Sequence, residues 1–170
     1  MNGSNPDTLA PVHVFNFEVS FFEDPLDSAE DDGDVPMCSG AFSECTGLEA
    51  TMEPKVIKEG GRNYGAAQRA GPVTFATVIL KRGMTTNGDL WGWFNQVTQG
   101  DYAYRLGARI QIRDGLQSDT PVMEWKLTNV MPIKFKSADM SAKATEVGIE
   151  ELHLAHEGLS LVRRGDDVSE

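Results

Sequence analysis

The stretch that decides the fold is Thr145-Glu-Val-Gly-Ile-Glu-Glu-Leu-His-Leu-Ala-His-Glu-Gly-Leu-Ser-Leu-Val162, near the end of the 170-residue chain. Its mixed apolar and polar residues are typical of a long, half-buried β-strand. His153 and His156 would point to opposite faces of such a strand, so we expect no shared metal. Glu150 and Glu151 are adjacent and also diverge, which prevents joint acid-base work. The segment therefore predicts a structural role.

The apolar positions of this segment change phase along the strand. They fall first on odd and then on even numbers, at Val147, Ile149, Leu152 and Leu154. One extra residue near Glu150 and Glu151 would keep both pairs on the core side. We therefore predict a β-bulge or sharp bend there, in a strand that turns a corner between two sheets.

Most of the remaining chain also has the composition of strands. Period-2 alternation or β-branched enrichment predicts strands over Val12–Phe22, Leu48–Lys58, Val73–Lys81, Tyr104–Arg113 and Met123–Thr128. The last two should pair as a hairpin that turns at Asp114-Gly115. Pro54 and Pro132 should interrupt their ladders, and the small residues of Gly60–Pro72 predict a long loop.

One helix is expected between these strands. Thr86 or Asn87 can cap its start, Asp89 suits the positive end of its dipole, and Gly100 can end it. Its predicted apolar face consists of Leu90, Phe94 and Val97, with Trp91 and Trp93 beside it as core residues. Together these features predict a mainly β fold, a sandwich or distorted barrel with one flanking helix.

Size and composition limit the domain count and the cell compartment. A chain that is 40% hydrophobic can bury one core, so we expect one domain over 1–170 with flexible ends at 1–11 and 163–170. The sequence lacks an apolar run of about 18 residues and the basic flank of a signal peptide, which favours the cytoplasm. Cys38 and Cys45 are interpreted as reduced thiols, with Cys45 the more buried.

The chain is acidic, with a net charge of −11. This charge disfavours nucleic-acid binding, which requires clustered Lys and Arg. Much of it lies in residues 23–36, whose composition predicts a solvated loop insertion; a partner-docking arm is the alternative. Arg105, Arg109 and Arg113 form a row outside the predicted core strand. They are interpreted as a solvated or salt-bridged sheet face, or else as a docking surface for an acidic partner.

Several short motifs in the same order resemble the T-even-type phage tail tube protein family. They are Phe42-Ser-Glu-Cys-Thr-Gly-Leu-Glu49, Lys58-Glu-Gly-Gly61, Ile79-Leu-Lys-Arg-Gly83, Leu90-Trp-Gly-Trp93, Trp125-Lys-Leu-Thr-Asn129 and Ile149-Glu-Glu-Leu-His-Leu-Ala-His-Glu-Gly-Leu159. The resemblance extends from about Val14 to Val162. The family also supplies the inner tubes of R-type tailocins and of extracellular contractile injection systems.

The resemblance implies a hexameric ring whose strands join in one continuous β-barrel, with rings stacked into a tube inside a contractile sheath. It implies no cofactor and no catalysis, and it implies sheath, baseplate hub and tube-terminator proteins as partners. DNA or effector cargo would pass the lumen without specific binding, which an acidic wall would favour. Contacts between rings are expected at Leu48, Glu49, Lys58, Glu59, Arg62 and Tyr64. A monomeric β-sandwich that binds a ligand or a cationic partner is the alternative function.

Overall fold

Eleven strands and one helix make up the described part of the chain. A computed structural model describes residues 16–23, 42–113, 121–143 and 145–163. The elements are β1 (Phe17–Glu23), β2 (Glu44–Thr46), β3 (Ala50–Met52), β4 (Lys55–Ile57), β5 (Ala67–Arg69), β6 (Val73–Phe75), β7 (Val78–Gly83), α1 (Asp89–Thr98), β8 (Leu106–Arg113), β9 (Pro121–Lys136), β10 (Ile149–Ala155) and β11 (Gly158–Arg163). The predicted class, mainly β with one helix, is confirmed.

Some predicted features lie outside the described residues. They are the N-terminal segment 1–11, nearly all of the acidic segment 23–36, Cys38, the Asp114-Gly115 turn and the end of the chain beyond residue 163.

Strand β9 belongs to two sheets. The strands of the main sheet follow the order β1-β8-β9-β10-β7-β2, and β11 also pairs with β9. The first half of β9 pairs with β8 and β11, and its second half, Met131–Lys136, pairs with β10. Sheet A is defined here as β1, β8, the first half of β9 and β11. Sheet B is the second half of β9 with β10, β7 and β2. The core lies between the two sheets and α1.

A corner in the β9–β10–β11 ladder joins the two sheets. Only His156 and Glu157 separate β10 from β11, so both strands follow the same edge of β9. Asn129 lies opposite this link with φ 51°, a left-handed conformation that Asn tolerates better than most residues. Its side-chain amide donates to Glu157 Oε2 at 2.7 Å. The predicted single C-terminal strand is thus two strands, β10 in sheet B and β11 in sheet A, and the strand that both sheets share is β9.

The bulge predicted at Glu150 and Glu151 is wrong. Strand β10 alternates regularly there, and its pairing with β7 is unbroken from Ile149 to Leu154. The one irregularity falls between His153 and Leu154, where Ile133 of β9 has no partner. Glu150 takes an inward position and is buried, whereas Ile149 remains 42% exposed. The apolar pattern changed phase because a carboxylate occupies a core position.

That carboxylate belongs to a buried ion cluster between sheet B and α1. Arg82, Asp89 and Glu150 are all buried. Arg82 Nε donates to Glu150 Oε1 at 2.6 Å, and its terminal nitrogens donate to both carboxylate oxygens of Asp89. Burial lowers the pKa of Arg82, but the hydrogen bonds and charges of the two carboxylates raise it above its ordinary value. The cluster fixes the start of α1 against the sheet.

The helix packs through a different stripe from the predicted one. Leu90, Trp93 and Val97 are buried, and the ring of Trp93 meets Phe21 edge-on at 5.1 Å. Phe94, predicted to be central, is half-buried, and the prediction of Trp91 as a core residue is wrong, since it is 50% exposed. The N-cap is Gly88 in a left-handed conformation without a side-chain hydrogen bond, so the predicted caps Thr86 and Asn87 are wrong. Gly100 follows the helix with φ 139°, as its predicted role at the end requires.

Three strand boundaries also differ from the predictions. The predicted strand from Val73 to Lys81 is two strands, β6 and β7. The predicted loop over Gly60–Pro72 contains β5, because its residues pair with β4. Strand β9 continues through Pro132, which lies opposite Leu154. The interruption at Pro54 is confirmed, since it separates β3 from β4.

Candidate assembly surfaces

A two-stranded ribbon projects from sheet B over residues 48–75. It consists of β3 paired with β6 and of β4 paired with β5. Thr46 lies opposite Ile79 and Ala50 lies opposite Phe75, so β3–β6 continues the register of the β2–β7 ladder. The register shifts by one residue before β4–β5, where Lys55 lies opposite Arg69. Nearly all of its residues are exposed. An isolated two-stranded ribbon of this kind is at best marginally stable in water.

The ribbon carries the predicted ring-contact residues. Glu49, Lys58, Glu59, Arg62 and Tyr64 are all exposed, and Tyr64 is 95% exposed. Glu59 and Arg62 form an ion pair of 3.1 Å. Leu48 differs, because it packs against the core where the ribbon begins. The structure therefore brings five of the six residues to one projecting surface and assigns the sixth to its base.

The predicted arginine row is engaged locally. Arg113 pairs with Glu18 at 2.6 Å, and Arg109 Nε lies 3.3 Å from a carboxylate oxygen of Glu124. The guanidinium of Arg109 also lies 5.1 Å from the centre of the Phe22 ring. Arg105 donates to the carbonyl oxygens of residues 102 and 104. This is the arrangement of a salt-bridged sheet face.

The outer edges of sheet A are open. Among the described residues, β1 pairs only with β8, and β11 pairs only with β9. Each outer edge presents backbone N–H and C=O groups that can pair with a strand from another chain. All neighbouring strands of sheet A are antiparallel. Signals for these edges were present in the sequence only as strand patterns, which do not reveal which strand lies last in a sheet.

The described histidines and Cys45 do not converge on one site. His153 Nε2 lies 3.5 Å from Glu151 Oε2, and His156 Nδ1 lies 2.9 Å from the carbonyl oxygen of Gly158. No group of three or more His, Cys, Asp or Glu in the described part of the chain could hold a metal ion. Cys45 is a half-buried free thiol, and burial raises its pKa to about 11. None of the described helices is long and apolar enough to cross a membrane.

The described residues thus combine unpaired strand edges, an exposed ribbon and an arginine row that is engaged locally. Residues 13–160 match the family described as T4-like virus tail tube protein gp19. The chain belongs to this tail tube family, and it is a structural tube subunit. The resemblance inferred from the motifs is thus confirmed, and it covers almost the predicted range. No curated protein matches the chain in sequence.

Solved structures of injection systems contain chains with the same fold. A chain in the anti-feeding prophage baseplate has a TM-score of 0.72 and 23% identity, over 91% of this chain and 97% of that chain. A chain in the extended PVC sheath–tube complex, an extracellular contractile injection system, has a TM-score of 0.74 and 18% identity, over 96% and 99%. A chain in the PVC sheath/tube terminator structure has a TM-score of 0.71 and 18% identity, over 90% and 97%.

Proposed function

We propose that the protein forms hexameric rings that stack head to tail into the inner tube of a contractile phage tail or phage-tail-like injection system. In this role it catalyses no reaction. The observation that carries the proposal is the pair of open edges on sheet A, in a chain of the tail tube family. The ring would close when β11 of one protomer pairs with β1 of the next.

The strand directions of sheet A favour this closure. Because β1, β8, β9 and β11 alternate in direction, β11 and the next β1 would also be antiparallel. Each added protomer would thus continue one antiparallel barrel without a parallel step. Such a heterologous contact forms a closed ring when its rotation permits. The anti-feeding prophage baseplate structure, which contains a similar chain, is described as 6-fold symmetrised, and this supports six protomers.

The free face of sheet A would line the lumen. Its opposite face is buried by sheet B and α1, which leaves the charged face for the inside of the barrel. The described strands carry three cations and two carboxylates on that face, at Arg109, Arg113, Lys126, Glu18 and Glu124. Because these charges pair with one another, they favour passage of cargo without specific binding. The charge of this lining would be nearly balanced, whereas the sequence led us to expect an acidic wall. The arginines would then face cargo instead of a docked protein.

Sheath, baseplate hub and tube-terminator proteins are the proposed partners. Similar chains come from complexes described as a sheath–tube complex, a sheath/tube terminator and a baseplate. The rings would assemble in the cytoplasm of the producing bacterium and then become part of a virion or of a phage-tail-like particle. Ring stacking would use the exposed ribbon residues Glu49, Lys58, Glu59, Arg62 and Tyr64, with Leu48 holding the base of the ribbon.

Electron microscopy of the purified full chain tests the proposal. We expect rings with a mass six times that of one chain, and tubes at high concentration or after coexpression with sheath and baseplate proteins. A strictly monomeric species under both conditions would contradict the proposal. Deletion of residues 24–34 should leave the rings intact if that acidic segment is a solvated insert, and loss of rings would make it structural.

A further inference from the structure

Two exposed apolar surfaces lie at opposite ends of strand β7. The first is the ribbon, with Met52, Val56, Val73 and Tyr64 exposed. The second, termed here the methionine cleft, is an open cleft of about 420 Å³ lined by Met84, Ala138, Asp139, Met140, Glu146 and Gly148. Met140 is 84% exposed, and Val147, which adjoins the lining residues Glu146 and Gly148 in sequence, is 74% exposed. Exposed apolar residues grouped in this way mark interaction surfaces.

We propose that the methionine cleft receives the ribbon of a second copy of this chain in the adjacent ring. The inference rests on the proposed stacking of rings and extends it by naming the acceptor surface. Ring stacking requires a donor at one end of the protomer and an acceptor at the other, because the contact is heterologous and repeats without closing.

The strand geometry places donor and acceptor in this relation. The ribbon leaves sheet B at the Val78 end of β7, and its β3–β6 half continues the β2–β7 ladder in register. The cleft lies at the other end, where Gly83 precedes Met84 and pairs with Ile149. Strand β7 has six residues, which separates the two surfaces by about 20 Å along the strand. A copy shifted along this direction brings its ribbon to the cleft.

The unpaired charges of the two surfaces have an opposite excess. Lys55, Lys58 and Arg69 of the ribbon form no ion pair with any described residue, and they outnumber its two carboxylates without an ion pair, Glu49 and Glu53. Asp139 and Glu146 line the cleft and likewise have no ion-pair partner within the described ranges. Opposite charges on facing surfaces set the register of a contact and exclude wrong partners. In the proposed contact, the cations of the ribbon of one copy pair with the carboxylates of the cleft of the next copy.

Tyr64 is the anchor that best suits this cleft. It lies in the turn between β4 and β5, almost fully exposed. Tyrosines of this kind often carry much of the binding energy of an interface. Methionine side chains adapt to an inserted ring and make favourable contacts between sulfur and the aromatic edge. We therefore assign the space between Met84 and Met140 to the Tyr64 ring of the next copy.

Disulfide cross-linking tests the contact directly. In the full chain with Cys38→Ser and Cys45→Ser, the pair Tyr64→Cys and Met140→Cys should give an oxidation-dependent ladder of covalent multimers, because every chain carries both donor and acceptor. The matched control joins Tyr64→Cys to Tyr102→Cys, whose tyrosine is also exposed but is not part of the cleft. The control should give no ladder. If the first pair forms tubes but gives no ladder, the inference is overturned, whereas the proposed function as a tube subunit still stands.

A charge exchange supplies an independent test. Glu146→Lys should weaken stacking by about tenfold, seen as shorter tubes with intact rings. Adding Lys58→Glu in the same chain should restore tube length. Intact rings whose tube length is unchanged by Glu146→Lys would contradict the inference alone. Absence of rings in the unmodified chain would contradict the proposed function as well.

Discussion

The β8–β9 hairpin and the ribbon are both antiparallel strand pairs, but they obtain stability from different sources. In β8, Leu106, Ala108 and Ile110 are covered by the opposite sheet and α1. In the ribbon, Met52 and Val56 remain at least half exposed. Because apolar burial stabilises by roughly 25 cal/mol per Å², the hairpin gains more stability than the ribbon does from folding within one chain. Strand formation alone therefore does not identify the folded core.

The two regions also differ in their ion pairs. Arg82 is enclosed by two carboxylates in the body of the protein, whereas Arg62 pairs with Glu59 on the ribbon, where both side chains are about half exposed. Removing one member of a buried pair leaves an uncompensated charge in the core. An exposed pair exchanges its partner for water at little cost. Substitutions can test this contrast directly.

The largest effect is expected for Trp93→Ala. Loss of this fully buried ring should reduce the free energy of unfolding by about 3–5 kcal/mol, because it removes apolar burial and leaves a cavity. Urea unfolding of the protein measures the change. Trp91→Ala on the same helix is the control, since Trp91 is 50% exposed. Equal losses for the two variants would contradict the assigned packing of α1.

Arg82→Met should destabilise the body by about 3–5 kcal/mol, since Asp89 and Glu150 would stay buried without their cation. The matched change Arg62→Met on the ribbon should cost less than about 1 kcal/mol. The pKa of Arg82 is raised on folding, so its contribution is complete below the ordinary arginine range and is lost only as the pH rises through the higher folded value. The difference between the two variants should thus be constant across neutral pH. Urea unfolding at several pH values near neutrality checks both points. Similar losses of stability in the two variants would contradict the difference between the buried and the exposed ion pair.

Gly47→Ala should affect the junction between body and ribbon. Gly47 has φ 88°, and a Cβ there would lie 2.0 Å from the Thr77 carbonyl oxygen. Relief of this clash requires the backbone to shift, at about 1–3 kcal/mol. Gly61→Ala on the ribbon is the control, because its φ is 86° but no atom lies within 4 Å. Amide hydrogen exchange should show faster exchange at the ribbon base only for the first variant. Identical exchange rates in the two variants would mean that the positive φ, and not the clash with Thr77, sets the effect of the substitution.

Met52→Ser should separate assembly from folding. The side chain is exposed in the single chain, so unfolding should change by no more than about 0.5 kcal/mol. Tube length should fall, because the ribbon loses apolar area needed for its contact. Unfolding and electron microscopy on the same preparation compare the two effects. A marked loss of stability in the monomer would show that the ribbon folds against its own body.

The smallest effect concerns Cys45, which lies in β2 where the body leads into the ribbon. Burial raises its pKa to about 11 from 9.0, so the folded chain holds the thiol proton more tightly and loses stability as the pH rises from 9.0 toward 11. At neutral pH very little thiolate is present, and a thiol reagent should label Cys45 slowly in a Cys38→Ser variant. Labelling as fast as in the urea-unfolded chain would contradict the burial.

The strands with clear alternation could be predicted from the sequence. Strand β8 shows this best, since Leu106, Ala108 and Ile110 face one core and Arg109 faces outward. The prediction failed where a charged residue occupies an inward position. Glu150 is buried only because Arg82 lies beside it, and the two are separated by 68 residues in the chain. A local pattern contains no information about such a partner.

The exposed surface of the ribbon could be predicted only in part. Loop composition located the exposed residues Lys58 and Tyr64 correctly, because small and polar residues mark exposed chain. The strand β5 was missed, since Ala67–Arg69 has no alternation and becomes a strand only by pairing with β4. The methionine cleft was missed for a related reason. Met84 and Met140 both line a cleft at the end of a strand pair whose register the sequence does not give.

The pairing of β1 with β8 has a consequence during protein synthesis. Glu18 and Arg113, which close the outer end of this pair, are 95 residues apart. At 5–20 residues per second the ribosome leaves β1 without its partner for roughly 5–20 s. An apolar strand such as Phe17-Glu-Val-Ser-Phe-Phe-Glu23 is prone to aggregate in that interval, and charged residues beside it oppose this.

The acidic run that follows β1 in sequence supplies such charges. We expect serine replacement of the acidic residues from Asp24 to Asp34 to increase aggregation of nascent chains that end before residue 106, measured by sedimentation of stalled ribosome complexes. Equal sedimentation with and without the replacement would rule this out. On this view, the acidity of the chain protects each subunit while it is being made, before any neighbour is available to cover its edges.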